Sequence, residues 1–241
     1  RGHVMIEPKT QAEFERMKGK LKGAWVLVSG MNSGWPIDYS ETGDSIRASI
    51  IAENEEIMQK NREIMRANRG REEGEREEML PYKEEPALFY KEMVEAGILG
   101  IIQASTVPIR ALYDRKNINN GTLTFDNLPK VPDIKLNEHQ YRIIEQKAKE
   151  RQYFQLEFDI RNHWKPGPVK YHNVIGIIPG TKYPDEYVIM GGHLDAFDVA
   201  TGGVDDGSGI TPHMEAARLI MEAGGKPERT TIYAIWAAEE F

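Results

Sequence analysis

An apolar strand, a helix and a second apolar strand follow one another near the end of the chain, and this order constrains the fold most. The first strand is predicted over residues 187–190, the helix over 208–222 and the second strand over 230–238. A helix between two buried strands is typical of a crossover connection that makes the strands parallel. The sequence therefore predicts an α/β protein, with an α/β/α sandwich around a mostly parallel sheet.

The helix of this unit is predicted from its ends and from the spacing of its apolar residues. Ser208 is the predicted N-cap, Pro212 is expected in the first turn, and Gly224 ends the helix. Helical spacing predicts one apolar stripe, formed by Ile210, Met214, Ala217, Ile220 and Met221. We expect this stripe to be part of the core rather than a ligand site.

Acidic residues and one histidine follow the two strands. His193 and Asp195 come after the first strand, Asp205 precedes the helix, and Glu239 and Glu240 come after the second strand. Since the carboxyl ends of parallel strands meet at one edge of a sheet, these side chains are expected to gather there. One imidazole with four carboxylates, in a chain without cysteine, favours zinc or a similar cation.

Each of these residues also has a structural interpretation. A single histidine near a strand end is usually a hydrogen-bonded structural residue, and an acidic pair after a strand is usually solvated surface. The joint placement of all five residues at one edge favours the metal site. Adjacent glutamates point in opposite directions on an extended backbone, so one is able to bind metal while the other faces the substrate as a base.

The motifs GGHLDAFD and GGVDDGSG, followed by a helix and a strand that closes in AAEE, closely resemble the two-zinc exopeptidases of metallopeptidase family twenty-eight. The resemblance implies that His193 binds one zinc ion, that Asp205 bridges both ions and that Glu240 binds the second. It also implies that Glu239 is the general acid and base. Asp195 would orient the imidazole of His193 through a hydrogen bond.

The family pattern places a further Asp and a His downstream of the glutamate pair, whereas this chain ends one residue after Glu240. We therefore expect a truncated chain with an incomplete zinc exopeptidase fold. Each zinc ion would then have two protein ligands where catalytic zinc usually has three. The chain alone is expected to be inactive and to bind zinc weakly, whereas the intact parent protein would bind two zinc ions and hydrolyse terminal peptide bonds.

A second, looser resemblance concerns the middle of the chain. A helix that enters EAGILGII, and the later segment KVPDIKL with its closing helix, resemble the protease-associated domain that is often inserted in this peptidase family. The predicted domains are an N-terminal segment at 1–18, a protease-associated-like α+β domain at 19–150 and the first part of the peptidase domain at 151–241. A helix at 44–68 is interpreted as an insertion in the second of these.

Two further strands are predicted over residues 154–160 and 173–178, and we expect them to pair and open the peptidase sheet. The strand at 230–238 is expected to leave one apolar edge exposed, which would invite association with a second copy of the chain. The other downstream histidines are interpreted as structural or solvated: His163, His172 and His213.

The charge of the chain restricts its partners. A formal net charge of -7 and an isoelectric point of about 5.5 argue against nucleic acid or an anionic membrane. No apolar run approaches the length of a membrane span. The family resemblance implies a peptide substrate and a secreted or periplasmic location.

Two alternative functions stay open. One is a noncatalytic receptor or binding relative that keeps the fold, and the other is a glutaminyl cyclase-like enzyme with a single zinc ion. The side chains at the five site positions favour the peptidase over the receptor, and the protease-associated-like domain favours it over the cyclase-like enzyme, whose relatives seldom carry such an insertion. Whether the enzyme acts at the amino or the carboxyl end of a peptide is not decided by the sequence.

Overall fold

The computed structural model describes residues 1–32, 35–106, 115–124, 126–163, 165, 167–197 and 200–240. The chain divides into two compact units, residues 1–163 and 164–241. Each unit has its own β-sheet.

The first unit is built on a five-stranded sheet. Its strands, in chain order, are β1 (Gly2–Ile6), β2 (Ala24–Asn32), β3 (Gly100–Ser105), β4 (Asp133–Asn137) and β5 (Gln155–Leu156). Their order across the sheet is β4-β3-β2-β1-β5. The first four strands pair in parallel, and β5 is antiparallel to β1. Each parallel pair requires a crossover segment, and these segments hold most of the helices.

Five α-helices accompany this sheet within the described residues: α1 (Gln11–Met17), α2 (Glu41–Ala67), α3 (Tyr90–Glu95), α4 (Arg115–Asn119) and α5 (Glu138–Lys149). Thr10, Ser40 and Asn137 cap α1, α2 and α5, since each side chain accepts a backbone N–H from the first turn. The helix predicted over 44–68 is confirmed to within a few residues at its ends as α2, and the closing helix predicted after KVPDIKL is confirmed as α5. No helix in the described ranges is long and apolar enough to cross a lipid bilayer.

Both faces of the five-stranded sheet are buried, because alternate residues of β2 enter different cores. Val26 packs with Phe14 of α1 and Met93 of α3 on one face. Leu27 packs with Tyr141 of α5 on the other. Crossover helices typically cover parallel sheets in this way. The predicted α/β class with a mostly parallel sheet is confirmed.

The predicted N-terminal segment, residues 1–18, contributes β1 and α1 to this first unit. The division between the two units falls after His163. The domain boundaries expected from the sequence, and the protease-associated assignment of residues 19–150, stay predictions.

The second unit is a three-stranded sheet with one helix. Its strands are β6 (Val174–Ile178), β7 (Tyr183–His193) and β8 (Arg229–Trp236), in the order β6-β8-β7, and α6 (Gly207–Glu222) connects β7 to β8. β7 and β8 are parallel, whereas β6 and β8 are antiparallel. The predicted crossover of strand, helix and parallel strand is therefore confirmed.

The helix α6 differs in detail from the prediction. Asp206 is its N-cap, and Ser208 lies inside the helix, where its Oγ donates to the Val204 carbonyl at 2.6 Å. Pro212 is consequently beyond the first turn. Two residues of the predicted core stripe are exposed, Met214 and Met221. No residue of α6 is fully buried, because the helix packs mainly on two strands of a small sheet, β7 and β8.

The pairing predicted between 154–160 and 173–178 is wrong, since β5 pairs with β1 and β6 pairs with β8. The alternating residues near β5 join the core of the first unit, where the Phe158 ring packs edge-on against Trp25 at 4.6 Å between centroids. The exposed edge predicted for 230–238 is also wrong. β8 is the central strand of its sheet, which agrees with its near-continuous apolar sequence.

Candidate metal centre

The parallel register of β7 and β8 brings the predicted residues to one edge of the sheet. His193, the last residue of β7, lies opposite Trp236, the last residue of β8. The strands stay joined one residue further, where the Leu194 N–H donates to the Trp236 carbonyl at 2.6 Å. Residues 239 and 240 therefore follow directly beyond this edge, next to the loop that carries Asp195.

The His193 side chain is buried, and both of its ring nitrogens are engaged. Nδ1 lies 2.9 Å from the backbone carbonyl oxygen of Asp195, and Nε2 lies 3.0 Å from Oδ1 of Asp205. A carbonyl oxygen only accepts hydrogen bonds, so Nδ1 is the donor in the first contact. Nε2 is thereby the ring nitrogen that is directed toward the carboxylates and available to a cation.

The pKa of His193 is raised above its usual value. Burial alone would lower this pKa, but the hydrogen bonds to Asp195 and Asp205 and the charge of Glu239 outweigh burial. The acidic surroundings that stabilise a proton on the imidazole would also stabilise a metal cation at the same place.

The Asp195 carboxylate holds the chain beyond β8. Its Oδ1 accepts the backbone N–H of Glu239 at 3.1 Å, and its Oδ2 accepts that of Glu240 at 3.0 Å. Burial would raise the pKa of Asp195, but these two donors more than offset burial, and the pKa is lowered. The carboxylate lies farther from His193 Nδ1, at 3.5 Å, so the hydrogen bond expected there is made by the Asp195 backbone carbonyl instead.

Asp206 is a site residue that the sequence prediction did not include. Its Oδ2 accepts the backbone N–H of His193 at 3.2 Å, and its peptide bond to Asp205 is cis. Gly192 and Gly209 leave room for this carboxylate, since an added Cβ would lie 2.2 Å and 1.9 Å, respectively, from its oxygens. The glycines of the GGH and DDGSG motifs are the sequence signal for this contact.

Three side chains form a group that fits a metal ion. His193, Asp205 and Glu240 each offer one ligand atom, and these atoms lie within 4.8 Å of one another. Oε1 of Glu240 is buried and has no hydrogen-bond partner among the described residues. Because buried carboxylate oxygens are normally satisfied, this atom is suited to accept a cation. One imidazole nitrogen and carboxylate oxygens are a donor set that zinc accepts.

Glu239 lies beside this group without belonging to it. Its Oε2 is 3.7 Å from Nε2 of His193, and its side chain is 61% exposed. Glu240 is instead half-buried. The two adjacent glutamates therefore have different surroundings, as expected if they have different roles.

The histidines interpreted as structural or solvated stay outside the ligand group, which contains His193 alone among the described histidines. His213 lies on α6, and its Nδ1 is buried without a hydrogen-bond partner among the described residues. His163 and His172 are exposed.

Residues 173–241 match the family model described as Peptidase family M28. This range contains β6, β7, α6, β8 and the whole candidate metal centre. The family expected from the GGHLDAFD, GGVDDGSG and AAEE motifs is thus confirmed.

Several curated proteins are similar to this chain over part of their length. Carboxypeptidase Q from Xenopus laevis is 31% identical over 166 residues, which are 65% of this chain and 35% of that protein. Carboxypeptidase Q from Homo sapiens is 30% identical over 148 residues, 61% of this chain and 31% of that protein. A probable glutamate carboxypeptidase from Arabidopsis thaliana is 45% identical over 75 residues, 30% of this chain and 11% of that protein. The chain thus spans 35% or less of each of these relatives.

Two solved structures are also similar to this chain. A peptidase M28 precursor from Shewanella amazonensis has 21% sequence identity and a TM-score of 0.42, covering 100% of this chain and 45% of that one. A zinc aminopeptidase from Bacillus subtilis has 13% identity and a TM-score of 0.37, covering 99% of this chain and 42% of that one.

Proposed function

We propose that the protein to which this chain belongs is a zinc-dependent exopeptidase that hydrolyses terminal peptide bonds. The observation that carries the proposal is the group of His193, Asp205 and Glu240, placed at the end of a parallel strand pair in an M28 sequence. Membership of a peptidase family supports peptide hydrolysis. The nitrogen and oxygen donors support zinc.

Each of the five predicted residues has a role in this proposal. His193 would hold one zinc ion through Nε2, Glu240 would hold a second, and Asp205 would be shared between them. Bound zinc supplies polarisation of the scissile carbonyl and a lowered pKa of water. Glu239 takes a proton from the attacking water and returns it to the leaving amine. Asp195 positions the other residues through the contacts of its carbonyl and its carboxylate.

The exposure of Glu239 supports its assignment as the general base. A base must reach both the attacking water and the leaving group, and a half-exposed carboxylate next to the ligand group is able to do so. Its backbone N–H is fixed by Asp195 at 3.1 Å, which limits the motion of the residue. Glu240 has the same backbone anchor but a buried oxygen, and this suits a ligand better than a base.

The exchange of Glu239 for glutamine in the intact protein tests this assignment. Glu239→Gln keeps the shape but removes the basic oxygen, so zinc content should be retained while turnover on peptides falls by about 10²- to 10⁴-fold. Glu228→Gln is the matched control, because Glu228 precedes β8 whereas Glu239 follows it. Retained turnover in Glu239→Gln would refute the role of this residue.

Zinc counting separates the peptidase from the two alternatives. Two zinc ions in the intact protein support the peptidase, one supports a cyclase-like enzyme, and none supports a noncatalytic receptor. For the 241-residue chain itself we propose weak zinc binding and no hydrolysis, because each ion would have too few protein ligands. Calorimetric titration with zinc, together with a peptidase assay, checks this, and tight binding at two sites would contradict it.

The proposal also covers the end of the peptide that is cleaved, the cellular location of the protein and its oligomeric state. The named relatives include carboxypeptidases and an aminopeptidase, so a library of peptides with varied termini, given to the intact protein, is needed to distinguish the two ends. A secreted or periplasmic location is checked by cell fractionation. A homo-oligomer is checked by light scattering, and the edges it would use in the second unit are β6 and β7.

A further inference from the structure

Three asparagines on α2 bind the backbone of a segment that runs back along the helix. Asn54, Asn61 and Asn68 each accept a backbone N–H and donate to the carbonyl oxygen of the same partner residue. The bonds of Asn61 to Leu80 are 2.8 and 2.9 Å, those of Asn54 to Lys83 are 2.7 and 3.0 Å, and those of Asn68 to Glu77 are 2.9 and 2.8 Å. We call residues 77–83 the strap and the three asparagines the asparagine stripe.

The spacings of the stripe and the strap match. The asparagines are seven residues apart, which is close to two helical turns and about 10.5 Å along α2. The bound strap residues are three apart, which is about 10 Å in an extended chain. A residue whose N–H and C=O both point to one neighbour has the geometry of a residue in an antiparallel strand pair. Because residues three apart on a β-strand face opposite edges, the period of three is that of a polyproline II helix, and each asparagine pairs with one residue per turn of the strap.

The stripe recognises peptide backbone rather than particular side chains. All six hydrogen bonds between the stripe and the strap involve main-chain N–H or C=O groups of the strap, and Asn54 also donates to the Lys9 carbonyl at 3.0 Å. Residues 77–81 of the strap are exposed, including Met79 at 47% and Leu80 at 41%. On α2, by contrast, Met58 and Ile64 are buried between the asparagines. The helix face thus combines amide groups at regular intervals with apolar surface.

The contacts at one end of the strap favour particular side chains in a bound peptide. Lys83 forms an ion pair with Glu53 of α2 at 2.5 Å between Nζ and Oε2. Tyr82 is half-buried, and its pKa is raised by burial and then by the charges of Glu13 and Glu55. This acidic end of the surface fits an aromatic residue followed by a basic one.

We propose that the asparagine stripe of α2 is a binding surface for an extended polypeptide, and that the strap is its built-in, exchangeable occupant. The external partner is a peptide segment in extended conformation with an aromatic-basic pair, held mainly through its backbone. This surface lies in the first unit, and the inference does not depend on the proposed peptidase activity.

Binding of a labelled peptide to variants of the whole chain tests the proposal. The probe is a fluorescent peptide with the sequence of residues 76–84, measured by anisotropy. Leu80→Pro removes the N–H that donates to Asn61 while leaving the stripe unchanged, so it should loosen the strap and raise the affinity for the probe about ten-fold. Asn61→Leu combined with Leu80→Pro should abolish this gain, because both hydrogen bonds of Asn61 are lost.

A second probe and a second variant make the test specific. A probe that carries proline at the position of Leu80 cannot donate to Asn61 and should bind at least about ten-fold more weakly. Glu77→Pro removes the N–H that donates to Asn68 and so loosens the exposed end of the strap. It replaces Leu80→Pro if circular dichroism shows that the Leu80→Pro variant does not fold. Equal binding of the probe to wild type and to the loosened variant would overturn the proposal, as would equal binding of the two probes. Dimers formed by strap exchange, seen as concentration-dependent mass without probe binding, would also overturn it.

Discussion

Oδ2 of Asp195 lies 3.0 Å from the backbone nitrogen of Glu240, and this contact ties the loop after β7 to the residues that follow β8. The same carboxylate accepts the N–H of Glu239 at 3.1 Å. A single side chain therefore fixes the position of both glutamates relative to His193. Its importance for the site lies in this connection between two chain segments as much as in the imidazole beside it.

We predict that Asp195→Asn weakens zinc binding. The amide has one acceptor oxygen where the carboxylate has two, so one of the two backbone N–H groups loses its partner. Changes to the residues that orient ligands typically cost about 10- to 100-fold in metal affinity. Zinc titration of the intact protein measures this effect. Asp185→Asn, an exposed position near the start of β7, should leave the affinity unchanged.

Gly192→Ala should destabilise the second unit. The new Cβ would lie 2.2 Å from Oδ2 of Asp206, so this carboxylate or the strand must shift. Overpacking of this kind costs about 1–3 kcal/mol. Gly203→Ala is the control, because a Cβ there meets nothing within 4 Å. Urea unfolding compares the stability of the two variants. Equal midpoints would show that the Asp206 side chain moves aside without any loss of stability.

The stability contributed by Asp44 should depend on pH. Burial raises the pKa of Asp44, but hydrogen bonds and charge interactions with Lys91 and Arg47 outweigh it, and the pKa in the folded state is lowered. A lowered pKa gives stability that is present above the pKa of the unfolded state and is lost as the pH falls through that of the folded state. Asp44→Asn should therefore cost about 1 kcal/mol at pH 7 and much less near pH 3.

Unfolding by urea at both pH values measures this difference. Asp126→Asn, at an exposed position in the same unit, controls for the general effect of removing one negative charge. A cost for Asp44→Asn that is the same in acid and at neutral pH would show that the ion pairs do not stabilise the fold.

Glu7→Ala should be among the most destabilising single changes in the first unit. The Glu7 side chain is fully buried and accepts the backbone N–H of Ser29 at 2.7 Å, that of Leu88 at 3.2 Å and Nζ of Lys9 at 3.0 Å. Removing the carboxylate leaves buried donors unpaired, at a cost of about 3 kcal/mol or more. Thermal unfolding measures it, with the exposed Glu15→Ala as control, and a comparable midpoint for the two would contradict this role.

The local order of elements was well predicted because it depends on patterns within short segments. The apolar runs and the helix between them predicted that His193 and Glu240 would meet, and the register of β7 and β8 brings them to one edge. The part that Asp206 plays was not predicted. Its contact depends on space left by Gly192 and Gly209, which is a property of packing rather than of periodicity.

Long-range pairing explains the remaining differences. The alternating residues around Leu156 predict a half-buried strand equally well for either sheet. The pairing of β5 with β1 and the packing of Phe158 on Trp25 place them in the first unit. The asparagine stripe has a seven-residue repeat that is visible in the sequence. Its partner, Leu80 in the case of Asn61, is not visible, because backbone groups of any residue satisfy the same amide.

The crossover from β7 through α6 to β8 has a consequence for biosynthesis. His193 and Glu240 belong to opposite ends of that crossover, and nonlocal parallel pairing forms slowly because the connecting chain must first be ordered. During translation the metal-binding group cannot exist until β8 and the residues after it have left the ribosome and paired with β7. Zinc would then bind only after the crossover has formed, and its binding would stabilise the folded crossover by mass action.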